Sequence, residues 1–259
     1  MAEGGQAIAQ PATRRLPGWE VVWVFAVSLG ASALFALINL LGSLTAPKAL
    51  GKQHAVLVGS LAPGRPLLDL ALQLASILVT LAPVGLVIYL VLRGGERPRD
   101  IGLDLSHPGT DTLRGAALAA VIGGLGLGLY VAAFHLGLNL NVVAESLPSV
   151  WWRYPVLILG ACQNGILEEV LVVGYLLRRL DQLGWGPGRS LATSAVLRGS
   201  YHLYQGFGGF LGNAAMGVVF VLLYRRWGRV TPLIIAHSLI DAVAFTGYAA
   251  LHGHVSWLP

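Results

Sequence analysis

Long uncharged apolar runs alternate with short polar joins along the chain, and most joins carry arginine. A helix that crosses a bilayer needs about 20 mostly apolar residues. Residues 21–44, 70–92 and 115–144 meet that length without a charge. Residues 154–177 also meet it, interrupted only by the adjacent Glu168 and Glu169. The 190–206 run is shorter and holds Arg198 and His202. The 207–224 run is uncharged, and 230–251 contains His237 and Asp241. This pattern predicts an all-α, polytopic transmembrane helix bundle of about seven spans, or eight if one is missed. The join near Gln205–Gly209 is the tightest.

The same pattern divides the chain. Residues 1–18 are expected to form a disordered cytoplasmic leader, and 19–153 three helices with their loops. Residues 154–251 are expected to form four helices bearing the candidate chemistry, with 252–259 as a tail. The first apolar run exceeds the 7–15 residues of a signal-peptide core, so a retained anchor is expected. Pro47, Pro63 and Pro66 mark 45–66 as a loop. Gly124 with Gly128, and Gly208 with Gly212, have the spacing that lets helices approach closely. The GGLGLG run at 123–128 follows no strand, so it is not read as a dinucleotide loop.

Composition agrees. Of 259 residues, 55% are hydrophobic and 11% charged, against about 25% charged in soluble domains. The net charge of +5 is modest, which argues against a nucleic-acid partner and leaves the lipid bilayer as the surroundings. Cys162, the single cysteine, excludes an intrachain disulfide. Cations sort by loop: Arg14, Arg15, Arg93, Arg97, Arg99, Arg114, Arg178, Arg179, Arg189, Arg225, Arg226 and Arg229 fall on one side of the seven-span arrangement. Only Lys48, Lys52, Arg65 and Arg153 fall on the other. The positive-inside bias then puts the N-terminus of a multi-pass cell-membrane protein in the cytoplasm.

Ionisable side chains within a span are costly and mark function by default. Six occur here: Glu168, Glu169, Arg198, His202, His237 and Asp241. With about 1.5 Å rise per residue, each can be measured from the nearest arginine at its helix end. Glu168 and Glu169 lie about 15 and 13 Å from Arg178, and Arg198 and His202 about 13 and 20 Å from Arg189. His237 and Asp241 lie about 12 and 18 Å from Arg229. All six share a band near mid-membrane. The spacing of four in Arg198/His202 and His237/Asp241 puts each pair on one helix face. A buried glutamate with a histidine can activate water, and N–H donors can stabilise the resulting oxyanion. Two histidines with carboxylates could also hold zinc, with Glu168, His202 and His237 the favoured ligands. There is no HExxH pair, and a metal-free mechanism is the preferred reading. His135, His252 and His254 belong to no constellation. Asp69 reads as a helix-start residue, and Gly174 and Tyr175 as packing residues.

Three segments carry a family resemblance: "EEVLVVGYL" from Glu168, "SYHLYQG" with His202, and "HSLID" with His237 and Asp241. Their order and spacing resemble the CPBP family, also called the ABI or type II CAAX prenyl endopeptidase-like family of intramembrane proteases. The resemblance covers about residues 154–251. It implies that Glu168 is the catalytic base, working with His202 on water. It also implies that Glu169 orients the site and that His237 and Asp241 line the oxyanion side. The substrate implied is a membrane-anchored peptide or protein. The family's first motif, EExxxR, places an arginine four residues after the second glutamate, and this chain has Val173 there. Arg198, the only arginine within a span, is expected to serve Glu169 instead. The competing expectations are an inactive family member that binds a membrane partner, favoured by Val173, and a proton-coupled transporter.

Overall fold

The computed structural model describes residues 11–251, which form a helical bundle. Helices α1 (Pro11–Ala26) and α2 (Leu29–Thr45) meet at a 47° bend. Strand β1 (His54–Gly59) leads into α3 (Pro66–Arg93). Helix α4 (Pro108–His135) is followed by β2 (Asn141–Ser146). Helix α5 (Arg153–Glu168) continues through a π-helical segment, Glu169–Tyr175, into α6 (Leu176–Gln182). Helices α7 (Pro187–Ser200), α8 (Phe207–Trp227) and α9 (Thr231–Leu251) complete the bundle. Proline opens α3, α4 and α7, where its fixed φ fits and its missing N–H is not needed.

Five helices of the described residues are long and apolar enough to cross a membrane, or six with the bent α1–α2 pair as one span. By length and composition alone the count is thus five or six, beside the seven or eight expected. That measure leaves out the run at 190–206, because its helix α7 has only 14 residues. That is about 21 Å of helix, short of a hydrocarbon core about 30 Å thick. The third apolar run also departs from expectation. Its helix stops at His135, and Asn141–Ser146 pairs in parallel with His54–Gly59. Apolar content alone does not separate such a strand from a helix end. Helix α1 reaches back to Pro11, into the stretch expected as leader. Residues 1–10 and 252–259 lie outside the described residues.

Charge pairs join the loops that the arginine sorting groups together. Arg178 and Arg179 pair with Glu96, Arg225 with Asp181, and Arg229 with Asp104 and Asp111. The opposite ends of α3 and α4 carry the β1–β2 ladder and the Glu145–Arg153 pair.

The centre of the bundle is the π-helical segment, whose residues Val170–Val173 and Tyr175 are fully buried. Helix α9 packs against α5 and α4, and α8 against α7. A Cβ on Gly165 would lie 2.4 Å from Ser238 Oγ and 2.9 Å from the Ile234 carbonyl oxygen. Glycine at 165 thus permits the α5–α9 approach that brings the glutamates beside His237. Of the small-residue pairs, Gly208 and Gly212 do meet neighbours, Ala133 and Leu129 on α4. Gly124 and Gly128 face open space instead, so their packing role is not realised.

Candidate active site

The two glutamates sit where an α-helix gives way to a π-helix. Such local widening is rare and frequent at functional sites. Their side chains differ. Glu169 is completely buried, while the Glu168 side chain keeps about a tenth of its surface. Glu169 is fully committed: Oε2 accepts from Arg198 Nη2 at 2.7 Å, and Oε1 lies 2.7 Å from His237 Nδ1. Glu168 accepts at Oε2 from the Tyr201 hydroxyl at 2.7 Å. Arg198 Nη1 is 3.6 Å from the same oxygen, too far for a hydrogen bond. The residue after the motif start is therefore the anchor, and Glu168 is the carboxylate with surface left for a reactant.

Arg198 comes from α7, is wholly buried, and stacks 5.3 Å above the Phe220 ring. Its Nε and Nη1 find no hydrogen-bond partner. Val173, which occupies the arginine position of the motif, belongs to an apolar cluster with Phe220, Val221 and Leu233. The charge that the first motif omits from its own helix thus reaches Glu169 from a neighbouring helix.

The histidines have distinct settings. His202 was expected within a helix, but it lies in the turn after Ser200, where α7 has already ended. Its Nδ1 is 3.0 Å from the Arg198 carbonyl oxygen. A carbonyl only accepts, so Nδ1 carries the hydrogen and Nε2 of the neutral ring is left with a free lone pair. The ring sits between those of Tyr201, 4.8 Å away, and Tyr204, 6.5 Å away. The chain can turn here because Gly206 takes φ +109°, a conformation open to glycine. His237 likewise donates Nδ1–H to the Glu169 carboxylate, which leaves its Nε2 toward Asp241 Oδ2 at 3.8 Å. Asp241 Oδ2 accepts from Asn164 Nδ2 at 2.9 Å.

Five of the six sequence-selected residues thus lie in one chain of charge contacts, Asp241, His237, Glu169, Arg198 and Glu168, with hydrogen bonds at its two central links. His202 joins it through the Arg198 backbone and the Tyr201 ring. Two participants were not selected from the sequence. Tyr201 adjoins His202 and follows Arg198 by three positions. Asn164 precedes Glu168 by four, which puts both on one helix face. Those spacings were legible, but neither residue carries a charge to single it out.

Ligand atoms of Glu168, Glu169 and His237 lie within 4.8 Å of one another. This set differs from the one expected, since Glu169 replaces His202. Both Glu169 oxygens are already bonded, and the Arg198 guanidinium lies against the two carboxylates. A dication would have to displace these bonds next to a fixed positive charge, so the residues do not fit a metal well.

With this geometry in place, one comparison with known proteins gives a match. Residues 149–243 match the family model described as Rce1-like, type II CAAX prenyl endopeptidase, and the match supports membership of the CPBP family. That segment includes every residue of the site. No curated protein and no solved structure matches the chain.

Proposed function

We propose that the chain is an intramembrane endopeptidase that hydrolyses a peptide bond of a membrane-associated substrate without a metal. The observation carrying this reading is the division of labour between the glutamates. Glu169 is locked between Arg198 and His237, whereas Glu168 retains open surface beside Tyr201. Glu168, assisted by the free Nε2 of His202, takes one proton from water as its oxygen attacks the scissile carbonyl carbon. The C–O π electrons move to the carbonyl oxygen, and the positively charged Arg198, together with His237 when its Nε2 also carries a hydrogen, stabilises that oxyanion. Collapse of the intermediate breaks the C–N bond, and the proton held by the base goes to the leaving amine. Asp241 and Asn164 hold the far side of His237. The N-terminus is assigned to the cytoplasm, on the side of the arginine-rich loops.

The inactive-member reading rested on Val173, and the Arg198–Glu169 bond supplies the cation that Val173 lacks. The test is cleavage of a mixed membrane-peptide library by purified protein in detergent. Wild type should cleave, Glu168→Ala should not, and a strong chelator should leave the wild-type rate unchanged. Equal product patterns from wild type and Glu168→Ala overturn the protease reading. Chelator inhibition reversed by added zinc overturns only the metal-free part.

A further inference from the structure

One polar side chain within the apolar helices has no place in the site described. Asn39 lies on α2, is exposed, and makes no hydrogen bond among the described residues. It lies six residues before the end of α2, about 9 Å along the helix. Its carboxamide therefore offers an unused acceptor and unused N–H donors on an otherwise apolar helix. Asn39, Gly42 and Ser43 lie side by side on α2 by their spacing, along the edge of the stripe where Ala36 and Leu40 are buried.

These residues line one wall of an open groove of about 500 Å³. The start of β1, at His54 and Ala55, forms another wall, and Leu140 and Tyr204 form the inner end. Tyr204 is also the stacked neighbour of His202. Two backbone hydrogen bonds tie the inner wall to the His202 turn: Leu140 N–H donates to Gln205 O, and Phe207 N–H to Leu138 O, each at 3.0 Å. The wall of the groove and the turn holding His202 are thus one unit.

We infer that this groove is a subsite for an extended backbone segment of the peptide substrate, received by the Asn39 carboxamide and led past Tyr204 toward His202. This rests on the endopeptidase reading. The occupant follows from the chemistry. A carboxamide offers a carbonyl acceptor and N–H donors, which match the N–H and C=O of a peptide group. A lipid chain can satisfy neither. The groove is also mixed in character, with Ser43, His54 and Tyr204 beside Ile38 and Leu140.

Two measurements on the full-length protein test it, with a pool of mixed-sequence peptides, each anchored by one palmitoyl chain, as the probe. In the first, a photoactivatable benzophenone is attached through Ser43→Cys in a Cys162→Ser background, with Leu125→Cys, on the exposed face of α4, as the control. Peptide should cross-link from position 43 well above the level from 125, and Glu168→Ala should not reduce it. In the second, Asn39→Leu should raise KM about three- to tenfold with kcat nearly unchanged, the loss of one hydrogen bond. Asn39→Gln should recover part of the loss. Cross-linking at 43 no greater than at 125 overturns the subsite, and so does an Asn39→Leu enzyme with wild-type KM. If wild type cleaves nothing, the protease reading fails, and the cross-linking comparison alone still decides whether the groove binds peptide.

Discussion

Arg198 Nη2 donates to Glu169 Oε2 at 2.7 Å, and neither side chain keeps any contact with solvent. Removing one member of such a pair strands the other charge in a medium that cannot solvate it, at a cost of about 3–5 kcal/mol. Arg198→Ala should therefore lower the midpoint of thermal unfolding and abolish cleavage as completely as Glu169→Ala. The combined change Val173→Arg with Arg198→Ala should recover part of both, because it returns a cation to the glutamate's own helix. Recovery is expected to be incomplete, since position 173 lies in a packed apolar cluster. Unaltered activity in Arg198→Ala alone would refute the assignment.

Tyr201→Phe keeps the ring against His202 and deletes only the hydroxyl that bonds Glu168. A hydrogen bond to a charged group is worth about 1.5–3 kcal/mol. The variant should fold normally and lose about ten- to a hundredfold in kcat/KM. Steady-state kinetics beside an unfolding curve separate this from a packing defect, which would move the unfolding midpoint as well.

His202→Gln can keep an N–H near the Arg198 carbonyl but has no basic nitrogen. General base catalysis contributes about 10²–10⁴-fold, and kcat should fall by that factor with KM little changed. Asn164→Leu should have a smaller effect, because Asn164 acts on the site only through Asp241. Comparable losses in the two variants would mean that His202 positions rather than reacts.

Outside the membrane, Arg229 clamps Asp104 and Asp111 together where α4 and α9 begin. Hydrogen bonds from the Ser106 side chain and backbone, then the Arg229 guanidinium, hold the Asp104 carboxyl down to about 2, from an ordinary value of 3.8. A depressed carboxyl stabilises the fold above its unfolded pKa, and the contribution disappears as pH falls through the folded value. Asp104→Asn should therefore be less stable than wild type at pH 6, and the difference should close between about pH 4 and pH 2. Unfolding midpoints of both proteins across that range check the sign. A difference that grows toward low pH contradicts it.

The sequence by itself determined the helical membrane class, the loop grouping of the arginines and the six ionisable residues that the candidate site brings together. Each follows from a local or one-dimensional rule: apolar run length, charge placement, or the expense of an ionisable group in a span. Spacing along helices also placed the six polar residues at a common depth. What tertiary structure decided is which atoms meet. The β1–β2 pairing joins residues more than eighty positions apart, and no local pattern at 136–144 announces it. The end of α7 before His202, the π-helical widening at Glu169, and the bend between α1 and α2 follow from how neighbouring helices pack. So does the exchange of a same-helix arginine for Arg198, since Glu169 and Arg198 are brought together only by the packing of α7 beside the π-helical segment. The glutamates are neighbours in sequence, and the packing of Arg198 and His237 around Glu169 is what sets it apart from Glu168.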